Sequence, residues 1–230
     1  MCIIRTYPKR RDEFFKKDIW KKEPANQEFI QEEHDKNYEL KSEGLENVLG
    51  KMHNLVGHAI VPFEIGGAVD MYYFPNHTKG TGFVTMELLD PPGNGPLKNR
   101  LGTYELIAFT KHDYQNSKNE TTPFNLIEHD VCGFFTTIGN YSFQAILNPK
   151  ETMEVPNGEG EENTCMVLDL YEPQGKKFRI GNREHHLLLC LQVFRNEMEF
   201  ARENGTDELM KLLKEKGHYP YSDLDGESVA

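Results

Sequence analysis

Several protein classes are excluded by what this sequence lacks. No apolar run approaches the roughly twenty residues needed to cross a bilayer. The opening MCIIRTYPKRRDEFF has no apolar segment of the kind that drives secretion, so a soluble, cytoplasmic chain is expected, without a membrane partner. Cysteine is sparse: Cys2, Cys132, Cys165 and Cys190 have no paired spacing. The last three sit in apolar runs, which predicts buried reduced thiols rather than a disulfide framework or a zinc site. Basic charge is also short, with 26 Lys and Arg against 37 Asp and Glu, a net charge of −11. A nucleic-acid partner is thereby disfavoured, because such a surface needs cations to displace counterions from phosphate. The shortage is uneven. Residues 1–22 carry about +5 and the remainder about −16, so the basic start reads as a solvated charged helix or as a tail for an acidic surface.

Catalytic signatures are missing too. There is no nucleophile elbow, HExxH, CxxC or dinucleotide glycine pattern. Residues 44–51 imitate a phosphate loop but have five residues between Gly44 and Gly50, and Met52 stands where a magnesium-binding hydroxyl belongs. No cofactor and no metal follow from the sequence. His185 and His186 are neighbours in a strand-like run and point to opposite faces, so they do not ligate one ion. His58, His77, Asp70 and Glu87 are the histidines and acids that folding has a chance to gather around one hairpin, although surface or helix-end placement is the commoner fate of such residues.

What is present is organised around residues 187–217. Residues 187–194, LLLCLQVF, are apolar on both alternating faces, as in a strand covered on both sides. Asn196 with Glu199 resembles a capping box, Gly205 stops a first helix, and Thr206 restarts a second. Asp207 and Glu208 sit at its positive end, and Leu209, Leu212 and Leu213 give it one apolar face. Upstream, residues 10–22 suit a helix, and Ser42 suits the cap of another running to about Val56. Residues 68–74, 82–89 and 102–110 read as Tyr-, Phe-, Val- and Thr-rich strands of a meander. Thr122-Pro123 starts a helix whose stripe is Phe124, Ile127, Val131, Phe134 and Ile138. Residues 141–147 and 164–171 read as further strands. Residues 219–225, YPYSDLD, form a tail that packs its tyrosines on the domain.

The stretch E-x-E-x-A-x-x-x-G-x-x-x-L-x-x-x-L, here Glu197, Glu199, Ala201, Gly205, Leu209 and Leu213, resembles the C-terminal strand and helix pair of the suppressor of fused family. VDMYYFP at residues 69–75, GFVTMELL at 82–89, and TYELIAFT at 103–110 with its Glu105-Leu106 pair agree in order. The family's threonine strand is often followed by Gly and Ser, where this chain has Met86-Glu87. The resemblance runs from about Gly44 to the end. It implies a protein-binding domain: animal members clasp a short peptide of a transcription factor with help from a second domain, and some stand-alone bacterial relatives are thought to be immunity proteins against toxins.

The expectation is thus an α+β fold with a mixed, largely antiparallel sheet flanked by helices, ending in a buried strand and a broken helix pair. Residues 1–40 form an N-terminal charged, helical extension and residues 41–230 the suppressor-of-fused-like domain. The expected function is non-catalytic capture of a protein or peptide, with Tyr72, Phe74, Thr85, Tyr104 and Glu105 as the binding residues, the first four along a shallow edge groove. An immunity role is its sharper form. A hydrolase assembled from Asp, Glu and His by folding, and a partner in a homo-oligomer, are the rival readings.

Overall fold

The structure is a computed structural model that describes residues 5–8 and 24–230, except 118 and 159; the helix expected over residues 10–22 lies outside them. Among the described residues there are nine strands and four helices. In chain order they are β1 (Arg5–Pro8), α1 (Pro24–Leu49), β2 (Leu55–His58), β3 (Met71–Phe74), β4 (Thr81–Val84), β5 (Tyr104–Thr110), α2 (Pro123–Ser142), β6 (Thr152–Val155), β7 (Thr164–Leu170), β8 (Phe178–Ile180), β9 (Arg183–Gln192), α3 (Arg195–Asn204) and α4 (Thr206–Glu215). The sheet runs β1-β2-β3-β4-β5-β9-β7-β6, with β8 folded back on the start of β9. Every pairing is antiparallel except β5 with β9, where Tyr104 to Ile107 lie beside His186 to Leu189. This is the mixed, largely antiparallel α+β sheet that the patterning predicts.

The alternation of β9 builds two cores. Leu187, Leu189 and Leu191 face a layer that includes Leu45, Val48, Met198, Leu209 and Leu213 from α1, α3 and α4. Leu188 and Cys190 face the stripe of α2, Phe124, Val131, Phe135 and Ile138. Period two in a strand therefore places successive leucines on opposite sides of the same sheet. α2 starts as expected: the Thr122 hydroxyl accepts the Asn125 N–H at 3.2 Å, and Pro123 opens the helix.

Some local expectations fail. α1 begins at Pro24 rather than being capped by Ser42, and it stops at Leu49 because Gly50, at φ 83°, takes the left-handed turn. Residues 55–58 leave as strand β2. Gly44 is needed because a Cβ there would meet the Arg179 carbonyl of β8 at 1.9 Å; the phosphate-loop likeness is a close-packed helix and its exit. Residues 141–147 are the end of α2 and a turn, and the next strand is β6. α3 is capped at Phe194, with Glu197 rather than Glu199 reaching back to its N–H at 2.9 Å. Glu197 is buried, and its other oxygen accepts the Val229 N–H, so one carboxylate ties a helix start to the C-terminal tail. Cys165 and Cys190 are free and buried as expected. Cys132 is disulfide-bonded, which dispersed cysteine spacing did not suggest.

Candidate functional site

β4 does not turn directly into β5. The intervening loop is drawn under α1 by a group of buried polar atoms centred on Glu105, the one acid in β5. The Glu105 carboxylate receives the Thr85 hydroxyl at 2.7 Å, the Leu88 N–H at 3.2 Å, the Leu89 N–H at 3.1 Å and the Lys41 ammonium at 3.1 Å. Lys41 reaches down from α1 and also donates to the carbonyls of Met86 and Leu89. The Thr85 hydroxyl in turn accepts the Leu106 N–H at 3.0 Å. Lys41 and Glu105 are 2% and 0% exposed. Burying two charges so completely is tolerated only when both are paired and their remaining hydrogen-bonding capacity is used, and here it fixes the course of residues 85–89.

Above that loop lies an open cleft of about 660 Å³. One wall is α1, with His34, Asn37, Tyr38 and Lys41; the floor is Tyr72 and Met86 to Pro91; the far wall is Phe63 with Asn140 and Phe143 at the end of α2. Its carboxylates are Glu64, Glu87 and Asp90. Glu87 accepts the Asp70 N–H at 2.8 Å, Asp90 holds the turn through Asn94, and Glu64 stands exposed at the mouth. The rings of Phe63 and Phe143 lie 6.3 Å apart. Phe143 is 45% exposed, and the turn that carries Phe63 leaves Ile60, Val61 and Ile65 at 62%, 47% and 60%. Exposed large apolar side chains gathered beside a cleft are the usual mark of a binding surface.

The expected binding residues divide by depth. Tyr72 lines the cleft, its ring 6.0 Å from that of Tyr38. Thr85 and Glu105 are the support beneath it. Phe74 and Tyr104 are fully buried core side chains in separate cores and do not reach it. No edge groove brings them together, because β3 and β5 are interior strands. Of the histidine and acid group, His58 meets Asp70 at 2.7 Å and Asp70 meets Glu87, whereas His77 turns away to the Tyr171 hydroxyl. Among the described residues no three His, Cys, Asp or Glu side chains are arranged to hold a metal, and no helix is long and apolar enough to cross a membrane.

Perturbed acids lie elsewhere. Burial raises the Glu128 carboxyl above its usual range, opposed by the Tyr73 hydroxyl that donates to it at 2.6 Å, and burial pushes neighbouring Tyr114 up to about 12. They lie between α2 and the sheet and do not line the cleft, so they do not form an acid–base pair within it. Sequence reasoning missed Lys41, Phe63, Glu64 and Phe143. A signal existed for Lys41, which sits four residues before Leu45 on the apolar stripe of its helix, just as Glu105 is the lone charge of an apolar strand. Two opposite charges in apolar patterns point to a buried pair.

Comparison with known proteins agrees with the patterning. The family model described as suppressor of fused protein matches residues 68–225, more than half of the chain. Among solved structures, "the Sufu-Fu complex crystal structure" is similar over 87% of this chain and 91% of that chain, at 14% identity and a TM-score of 0.47. None of the curated proteins compared matches the chain. The matched segment contains the loop, the buried Glu105 and the β9–α3–α4 unit whose sequence first suggested the kinship, and on that match the chain belongs to the suppressor of fused family.

Proposed function

We propose that this chain is a non-catalytic binding domain that captures a segment of a partner protein in the cleft beneath α1. The observation that carries the reading is the cleft itself: carboxylates Glu87 and Asp90 inside, Glu64 at the mouth, Phe63 and Phe143 on the far wall, and exposed Ile65 beside them. That arrangement suits a segment with a basic side chain to enter and an apolar one to rest on the rim, since complementary charge steers encounter while apolar burial holds the complex. Family membership supports protein binding as the class of activity. The floor is already fixed by Lys41 and Glu105, so little ordering cost falls on association. The residue set expected from sequence keeps a part in this reading, with Tyr72 as a contact and Thr85 and Glu105 as positioning residues.

Neutralisation of a basic secreted toxin is the sharper form of the proposal, supported by the acidic cleft and by a net charge of −11. The test is capture from the native cell with the chain immobilised, comparing wild type with Glu64→Lys and Phe143→Ser. Retention of one basic protein by wild type alone is the expected result. Equal capture by both variants contradicts the cleft as the site, and survival of cells co-expressing the captured protein decides the immunity role.

A further inference from the structure

Exposed apolar surface is concentrated at one end of the molecule. Among the described residues, eight of the ten large apolar side chains that stand exposed fall in three short segments, 60–65, 97–101 and 141–146. Folding brings these segments together. The Phe63 and Phe143 rings lie 6.3 Å apart. The Leu97 N–H donates to the Ser142 carbonyl at 2.8 Å, the Asn99 side-chain amide to the Leu147 carbonyl at 3.0 Å, and the Arg100 N–H to the Asn148 side chain at 3.1 Å. The order across the face is therefore fixed: the turn with Phe63, the end of α2, then residues 97–101 running out to Arg100. Leu97, Leu101 and Ile146 are 42%, 37% and 56% exposed. None of the three lines the cleft, so the face continues beyond it.

Area and charge both bear on what covers this face. Each of the eight leaves roughly half of the ~150–200 Å² of a large side chain in water. Together they expose on the order of 700 Å², more than the ~300–600 Å² of the largest patch on a typical monomer and close to the ~800 Å² that each partner gives to a standard interface. The two ends carry opposite charge. Glu64 stands exposed beside Ile65 at one end, and Lys98 and Arg100 stand exposed beside Leu97 and Leu101 at the other. Glu151, an acid near the basic end, has both carboxylate oxygens on Asn148. A patch that is apolar in the middle, acidic at one end and basic at the other is complementary to itself after half a turn, which is the condition for an isologous interface. We infer that this face is covered by a second copy of the chain, in a two-fold dimer centred near Leu97 and Phe143, with Glu64 of each copy against Arg100 of the other. Burial of the apolar centre holds the pair, and the charged ends set its register. The dimer does not rest on the capture proposed for the cleft, whose floor and α1 wall it leaves open. Ile65 and Phe143 serve both, so a captured segment and a second copy exclude one another there, and dilution of the chain frees those residues for capture.

Sedimentation of the 230-residue chain over a series up to about 100 μM tests this with no other protein present, so its outcome is separate from that of any capture experiment. Wild type is expected to pass from 26.6 kDa to twice that mass. Ile146→Glu puts a charge in the apolar face outside the cleft and is expected to raise the dissociation constant by at least about tenfold, with Leu101→Glu as a second variant of the same kind. Glu64→Arg and Arg100→Glu should each raise it about tenfold. The two reversals in one chain should return it to within about threefold of wild type, because each pair then forms with its signs exchanged. All of these positions are exposed, and circular dichroism matching wild type checks that each variant folds. Wild type that stays at 26.6 kDa throughout overturns the inference. So does a dimer indifferent to Ile146→Glu and Leu101→Glu, and a double reversal that fails to restore association refutes the two-fold arrangement.

Discussion

β5 anchors a different neighbour at each end, and the two anchors are chemically unlike. At its start Glu105 and Lys41 hold the cleft loop with full charges that are almost wholly shielded from water. At its end Phe109, Thr110 and Lys111 hold Ser222 and Asp223 of the C-terminal tail through backbone groups, a hydroxyl and the Asp223 carboxylate, with a second, exposed carboxylate, Asp225, paired to the Lys111 ammonium. Shielded charge is costly to leave unpaired, so the loop is fixed for as long as the fold lasts. Ser222 is as fully buried as Glu105, and the Asp223 side chain is 4% exposed, but neutral hydrogen bonds are worth only about 1 kcal/mol each, so losing one from the tail is milder than losing a member of the charged pair. The contrast is therefore one of charge and not of exposure, since both ends of β5 are anchored in the interior.

The most severe way to break the contrast is to remove one member of the charged pair. Glu105→Gln or Lys41→Met should cost about 3–5 kcal/mol in chemical denaturation, because the remaining charge is buried alone. The double variant Lys41→Met, Glu105→Leu should recover only the part due to an unpaired charge, because the Thr85 hydroxyl and the Leu88 and Leu89 N–H groups then lack their acceptor, and partner binding should stay lost, since residues 85–89 have nothing to fix their course. The tail should answer more mildly. Ser222→Ala leaves the Gln192 N–H of β9 without its acceptor and is expected to cost about 1–3 kcal/mol, with faster hydrogen exchange confined to residues near 192 and 222.

Acid sharpens the comparison from the start of β5. His185 shares a short hydrogen bond with Thr103, and burial, reinforced by Arg183, Lys41 and His186, lowers its imidazole from 6.5 to about 4. The unfolded chain takes up that proton first, so stability present above pH 6.5 is lost as the pH falls toward 4. His185→Gln should flatten this part of a stability-against-pH profile. The smallest effect on stability is expected from Glu64→Lys at the cleft mouth, within about 0.5 kcal/mol, although affinity for a basic partner should fall about tenfold.

The architecture was more legible than the site, for a physical reason. Leu187 to Leu191 alternate into two cores, Thr122-Pro123 start a helix, and Gly205 divides another, so local pattern and final structure coincide there. Where they part, a distant group decides. Residues 141–147 carry strand-like side chains but lie in the last turn of α2 and the turn after it. Asn196 has good capping chemistry, yet the helix starts two residues earlier, where Glu197 reaches back to the Phe194 N–H while its second oxygen holds the distant Val229 N–H. The same holds for the cleft: Tyr72, Thr85 and Glu105 were legible as a motif, but their separation into contact and support depends on Lys41, 44 or more residues away in sequence from Thr85 and Glu105. Phe63 and Phe143 meet only because the turn before β3 and the end of α2 converge, which no local pattern records.

The central claim is that a partner polypeptide is held in the cleft under α1 on a floor that does not rearrange. Hydrogen exchange of the chain with and without its captured partner addresses it most directly. The account predicts new protection at residues 34–41, 63–65, 86–91 and 140–144, with the amides of Leu88 and Leu89 already slow before the partner is added. Protection confined to another surface, or Leu88 and Leu89 amides that are fast until the partner arrives, would contradict it.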